Sequence, residues 1–345
     1  MTESDPLDPR PTDPPNQLPA IISPGVLTSP INAYAATLVP ALIADAGDAA
    51  SWRYFEFFTA NIRNPNTRRA YARACGRFFV WCDDRGLTLT TIRPHDVATY
   101  IETLQQTHAA PGVKQQLAAM RMLFDWLITG QIVPVNPASA VRGPKHVVKT
   151  GKTPVLDGKE WRHLIDTIPT DTVRDLRDRA LIATLTYGFA SVGAALKMRV
   201  EDLQSKGTGW LIRLHEKGGK QHMMPCQHAL AEALRAYIDA AGIGADKKSF
   251  MFRTSRGHGG TALADQPMAQ TDAWRMVRKR ALAAGIMAPI GNHSFRATGI
   301  TAYLANGGAL EHAQAMAAHE SPRTTKLYDR TKERLTQDEV ERIRL

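Results

Sequence analysis

Four residues near the C-terminus, with a lysine turn upstream of them, have the types and the order needed to attack a phosphodiester. His293 and Arg296 stand at i and i+3, so on a helix both project from one face. His319 and Tyr328 follow, and a Lys217-Gly218-Gly219-Lys220 turn precedes them. An isolated H-x-x-R carries little information, and a lone histidine is more often structural than catalytic. The complete series supplies cationic donors for non-bridging oxygens, an acid for a leaving oxygen and a nucleophile. No Walker-type glycine loop, H-E-x-x-H pair or acidic metal cluster offers another chemistry.

The elements that must position these residues are mainly helical. Helical periodicity predicts helices at about 161–168, 176–196, 229–241, 271–284 and 294–305, with shorter ones at 310–317 and 322–328. Residues 210–214 and 222–224 flank the two-glycine turn and predict a hairpin. Upstream, Tyr71, Ala74, Cys75, Phe78, Phe79 and Cys82 lie on one face of a helix; Val97, Tyr100, Ile101 and Leu104 repeat the pattern after Pro94. Val113, Leu117, Met120, Phe124 and Leu127 give a third helix, stopped by Gly130. The fold class is therefore mainly α with a small antiparallel β-sheet. One extra helix over 38–62, rich in aromatics, is expected to pack on the domain that follows.

Charge points to a polyanion. The 345 residues carry 43 Lys and Arg against 33 Asp and Glu, a net +10. The first 50 hold one base, Arg10, and six acids, which leaves +15 for the rest. Arg68, Arg69, Arg73 and Arg77 lie opposite the apolar face of the first helix, and Lys114 and Arg121 opposite that of the third. Solvated charge explains any one of them, whereas several such helices favour a phosphate-binding surface. Arg142, Lys145, Lys149 and Lys152 fall in an acid-free stretch that reads as an interdomain linker. No apolar run approaches the length of a membrane span, the first thirty residues are acidic and Pro-rich, and Cys75, Cys82 and Cys226 are too scattered for a disulfide framework or a zinc site. A cytoplasmic protein with reduced thiols is expected.

With these motifs in place, the chain resembles the tyrosine recombinases, or phage-integrase-like site-specific recombinases, over about residues 60–330. The segments that carry the likeness are NTRRAYARACGRFFVWC, KQQLAAMRMLFDWL, LTYGFASVGAALKMRVEDL, LHEKGGKQHMMP, NHSFRATGITAYL and AAHESPRTTKLYDR. The resemblance implies a helical SAM-like core-binding domain and an α+β catalytic domain that close on DNA as a C-shaped clamp. It implies a phosphotyrosyl intermediate formed without ATP or metal, and no cofactor. The partners it implies are duplex DNA with inverted half-sites and further copies of the chain, two on a site and four in a synapse; an accessory DNA-binding protein stays open. A bacterial nucleoid location follows.

Carried over by position, Tyr328 is the nucleophile, Arg296 binds a non-bridging oxygen, His293 handles the Tyr328 proton and His319 donates to the phosphate or assists proton transfer. Lys217 protonates the leaving 5′-oxygen, with Lys220 as the fallback. Arg68, Arg69, Lys114, Arg121, Arg142, Lys145 and Lys220 are the expected DNA contacts. The implied organisation is a disordered tail at 1–37, the extra helix at 38–62, the core-binding domain at 63–144, a linker at 145–155, the catalytic domain at 156–330 and a tail at 331–345 that docks on a neighbouring protomer.

One position departs from the pattern. Where the family has a first catalytic arginine at the start of a helix, this chain has Ser191, in Gly188-Phe189-Ala190-Ser191-Val192-Gly193. Losing such a contact costs about 10²–10³-fold in rate, so the chain is expected to bind its site and cleave slowly or not at all. Whether Ser191 is native to an impaired paralogue or an Arg-to-Ser variant stays open, with the intact remainder of the site favouring the variant. Two other classes compete: a DNA-binding protein of the same fold without strand transfer, and a type IB topoisomerase, which the small core-binding domain argues against.

Overall fold

The computed structural model describes residues 39–146, 151–216, 219–257 and 259–329, and the chain divides into two units near residues 147 and 148. The expected tails at 1–37 and 331–345, Lys217 and Lys149 lie outside the described residues.

The N-terminal unit is helical: α1 (Ala41–Ala44), α2 (Asp48–Glu56), a π-helical turn (Phe57–Asn61), α3 (Pro65–Asp83), α4 (Pro94–Thr107) and α5 (Ala110–Thr129). The single helix expected over 38–62 is broken in two because Gly47 takes a φ of +99°, which glycine adopts without strain. Nor is this segment an appendage. Tyr54, Phe57 and Phe58 are buried in one core with Phe78, Phe79 and Phe124, while Trp52 stays exposed. Ring pairs such as Tyr54–Phe58 at 5.0 Å and Phe78–Tyr100 at 5.1 Å meet edge to face, the favoured aromatic geometry. Arg53 and Trp126 tie α2 to α5 reciprocally: the Trp126 indole donates to the Arg53 carbonyl at 2.9 Å and the Arg53 guanidinium lies 3.8 Å over the ring. Asn64 caps α3 by accepting from the Asn66 N–H at 2.9 Å, just ahead of Pro65.

The C-terminal unit is built around α7 (Val173–Tyr187), against which α9 (His228–Ala240) and α11 (Asn292–Ala305) pack. From Arg177 to Thr186 nearly every residue of α7 is buried, as expected for a central helix. Its two buried charges are matched: Asp178 lies 2.7 Å from the guanidiniums of both Arg177 and Arg280. The helix expected over 176–196 stops at Gly188, because Phe189 turns into the left-handed region at φ +47°; a short α8 (Val192–Ala195) restarts after it. Around this frame lie α6 (Gly158–Thr167), α10 (Gln270–Ala283), α12 (Leu310–Met316) and α13 (Pro322–Lys326).

Two antiparallel sheets complete the unit. One runs β1 (Leu203–Lys206), β2 (Gly209–His215), β3 (Gln221–Pro225), with Ile212 opposite Met224 and Leu214 opposite His222. The other is a hairpin of β4 (Arg253–Arg256) and β5 (Ala262–Pro267), which was not among the expected elements. Of the linker expected over 145–155, residues 147–150 lie outside the described residues, the backbone N–H of Gly151 donates to the carbonyl of Leu327 at 3.0 Å, and Val155 packs against a buried cluster that includes Phe189, Ala297 and Ile300. Among the described residues no helix is long and apolar enough to cross a membrane. Cys75, Cys82 and Cys226 are free, and burial pushes the Cys82 and Cys226 thiols up to about 12.

Candidate active site

The first turn of α11 carries His293 and Arg296, and Gly299 one turn later fixes that helix against α7. A methyl group on Gly299 would stand 1.9 Å from the Thr186 carbonyl oxygen, so only glycine permits this approach. The same contact presses α11 against the end of α7, immediately before the loop that holds Ser191.

Arg296 is buried, and protein acceptors claim its guanidinium. One terminal nitrogen donates to the Phe189 carbonyl and the other to the Ala317 carbonyl. The first acceptor, Phe189, is itself left-handed at φ +47°, and the second, Ala317, is followed by left-handed Ala318 at φ +48°. Non-glycine residues rarely take that conformation and spend about 1–2 kcal/mol to do so. Glu216 supplies the ion pair, with Oε1 3.6 Å from Arg296 Nη1. Burial pulls the Arg296 pKa down, and the neighbouring Glu216 and Tyr328 oppose that shift.

Tyr328 follows α13 and is also buried. Its hydroxyl lies 3.0 Å from His293 Nε2, and its ring stacks on His319 with centroids 5.8 Å apart and planes 9° from parallel. Thr301 of α11 donates to the Tyr328 carbonyl at 3.2 Å, which anchors the backbone at this position. Burial raises the Tyr328 pKa and Arg296 lowers it in part, so the phenol stays protonated and needs a base to ionise. His293 Nε2, when unprotonated, is placed to accept that proton. His319 has its Nδ1 2.9 Å from the hydroxyl of fully buried Thr325. Burial, with neighbouring Arg296 and His293 adding to it, holds the His319 pKa down at about 4, so its imidazole is neutral near pH 7.

Ser191 caps α8. Its Oγ accepts from the Ala194 N–H at 3.2 Å and donates to Glu216 Oε2 at 3.2 Å. Tyr328, His293, His319, Arg296 and Ser191 are thus gathered into one site through direct contacts or the shared partner Glu216. Lys220, across the hairpin stem, pairs with Glu320 at 2.9 Å on the surface.

Glu216 escaped the sequence reading, although its signal was present. Ile212 and Leu214 point into the core, and the two-residue period of β2 continues that face to Glu216. The same argument on β3 places half-buried His222 on the inner side with Met224. His222 Nδ1 is buried and has no hydrogen-bond partner among the described residues; burial lowers its pKa, with Glu216 opposing and Arg296 reinforcing the shift.

The expected DNA contacts divide into two kinds. Arg68 and Arg121 are half-buried and bonded to backbone: Arg68 donates twice to the Ile62 carbonyl, at 3.1 and 2.9 Å, and Arg121 to the carbonyls of Ala138 and Val141. Arg69, Arg73 and Arg77 instead form an exposed stripe at i, i+4 and i+8 along α3, and Lys114, Arg142 and Lys145 are also exposed.

Comparison with known proteins bears on the family and the fold. Residues 154–334 match the model of the phage integrase family, and residues 53–131 match the phage integrase N-terminal SAM-like domain. Tyrosine recombinase XerD of Chlorobaculum tepidum is 28% identical over 271 residues, covering 76% of this chain and 85% of that protein. Tyrosine recombinase XerC of Xanthomonas axonopodis pv. citri is 28% identical over 279 residues, with 76% and 85% covered. Among solved structures, XerH bound to a palindromic difH substrate after cleavage has a TM-score of 0.64 at 14% identity, covering 85% of this chain and 93% of that one. A lambda integrase tetramer bound to a Holliday junction has a TM-score of 0.62 at 16% identity, with 90% and 83% covered. The family model alone spans more than half of the 345 residues, and the chain belongs to the phage integrase, or tyrosine recombinase, family.

Proposed function

We propose that this chain is a site-specific DNA recombinase whose nucleophile is Tyr328. The observation that carries the reading is the 3.0 Å contact between the Tyr328 hydroxyl and His293 Nε2, at a site where Arg296 is buried as a preset cation. In the cleavage step the phenol oxygen bonds to the scissile phosphorus as its proton passes to His293. The bond from phosphorus to the 5′-oxygen breaks, and that oxygen takes a proton from Lys217, with Lys220 as the alternative donor. Arg296 stabilises the charge that builds on the non-bridging oxygens. Neutral His319 donates a further hydrogen bond there. The phosphodiester energy is retained in the tyrosyl link, so a freed 5′-hydroxyl on a partner strand can reverse the step without nucleotide hydrolysis.

The exposed cations Arg69, Arg73, Arg77, Lys114, Arg142 and Lys145 hold the DNA backbone in this reading. Two copies occupy inverted half-sites and four form the synapse, as the solved relatives bound to DNA as a dimer and as a tetramer suggest. The segment 331–345 is proposed to dock on the next protomer.

Ser191 makes the chain slow. Serine brings one neutral hydroxyl where the family pattern has a guanidinium, and that hydroxyl is already used on Glu216 and on the α8 cap. This arrangement favours a second reading, a protein that binds the site and holds it without cutting. A nicked suicide duplex made from the inverted repeats beside the gene distinguishes the two. A covalent adduct that grows at least 10²-fold faster in Ser191→Arg, by the cost of a missing transition-state donor, and vanishes in Ser191→Arg/Tyr328→Phe, is the expected result. No adduct in Ser191→Arg would sink the enzyme reading.

A further inference from the structure

Arg296, and Lys220 as the alternative proton donor, are each held by a protein carboxylate, and the Arg296 pair carries a consequence. Glu216 and Arg296 are nearly enclosed, with side chains 11% and 7% exposed, and the carboxylate stands 3.6 Å from Nη1. The guanidinium's other contacts go to the neutral carbonyls of Phe189 and Ala317. Glu216 is therefore the anion that Arg296 holds among the described residues. Its second oxygen accepts from Ser191, the position that lacks a guanidinium. Farther out, Lys220 is bound to Glu320 in the same manner.

We propose that Glu216 occupies the oxyanion-binding edge of Arg296 in the DNA-free protein, so that a phosphate must displace its carboxylate and the charge at position 216 sets the affinity of the site for an anion. Two anions cannot share one buried guanidinium without strong repulsion, since the interior screens charge poorly. Strand geometry makes displacement feasible. Glu216 is the first residue past β2, and its backbone N–H is held by the Lys220 carbonyl at 2.8 Å, so the side chain can swing while the stem stays paired. With Ser191 opposite, no second cation pairs with this carboxylate among the described residues. The recombinase reading supplies only the identity of the natural anion.

The exchange is tested on the full chain with inorganic sulfate as the probe, by calorimetric titration at constant ionic strength. Glu216→Gln keeps the shape and removes the charge, and is expected to tighten sulfate binding about tenfold or more, with the gain cancelled in Glu216→Gln/Arg296→Ala. Sulfate binding no tighter than in the unsubstituted chain, or a gain that survives removal of Arg296, overturns the proposal. If Glu216→Gln does not fold, Glu216→Asp, one methylene shorter, should show a smaller gain in the same direction; a folded Glu216→Asp without any gain is equally fatal. Sulfate binding needs no strand cleavage. A sulfate gain in a protein that forms no adduct upholds the exchange and counts against the enzyme, whereas an adduct without a sulfate gain does the reverse.

Discussion

Arginines in the two units are used in opposite ways. On α3, Arg69, Arg73 and Arg77 stand in solvent, one helical turn apart. Around α11, Arg296 is buried and bound to two backbone carbonyls and a carboxylate. An exposed guanidinium attracts phosphate through screened charge, tolerates small displacements and is one of several. A buried one must be oriented beforehand, because water is not there to solvate a wrong geometry, and the chain accepts two left-handed residues to orient it.

That contrast can be broken at its strongest point first. Arg296→Lys removes the planar fork and leaves the Phe189 and Ala317 carbonyls short of a donor, so strand cleavage, measured in the Ser191→Arg background, should fall by about 10²–10³-fold or more. Equal cleavage rates would mean that Arg296 is not at the reacting phosphate. Next is Gly299→Ala, which drives a methyl group into the Thr186 carbonyl and should destabilise the C-terminal unit by about 2–4 kcal/mol in denaturant unfolding, near the upper end for overpacking. A loss under 0.5 kcal/mol would show that α11 can shift away freely.

Acid supplies a milder perturbation. The His319 pKa is depressed from 6.5 to about 4, so the folded protein takes up this proton less readily than the unfolded chain. Its contribution to stability is complete above pH 6.5 and is lost as pH falls towards 4. Proton NMR of the His319 ring should titrate with a midpoint near 4. A midpoint near 6.5 would mean that the ring is not enclosed as described. The smallest effects belong to α3. Arg73→Ala or Arg77→Ala should each weaken DNA binding a few-fold regardless of sequence, and lower the slope of log K against log salt by about 0.9. A change in sequence preference instead would move these side chains from phosphate to base edges.

The same contrast explains what could be read from sequence. Helices of both units were legible wherever a single apolar face runs without interruption, as in α3, α4 and α9. They were misjudged where the backbone changes hand: at Gly47, because a single glycine inside a helical pattern does not by itself mark a break, and at Phe189, because a left-handed residue other than glycine leaves no mark on periodicity. Tyr328, His293 and Arg296 stood out as candidates by type and spacing, and the fold brings Tyr328 and His293 to 3.0 Å. The carbonyl partners of Arg296 left no such sign, because any residue can lend a carbonyl and only the fold decides which one does. Arg68 and Arg121 looked like surface charge for a related reason: a basic residue in a helical pattern does not reveal that its guanidinium reaches backbone carbonyls outside its helix.

The α8 cap has a consequence for how such a chain could persist. Serine is among the best residues for opening a helix, and its hydroxyl here accepts from the Ala194 N–H at 3.2 Å. Arginine offers no comparable acceptor, so the change that restores a guanidinium should also cost the fold about 1 kcal/mol of capping. Rate and stability would then pull in opposite directions at residue 191, and the Ser191→Arg protein should cut faster while melting at a lower temperature.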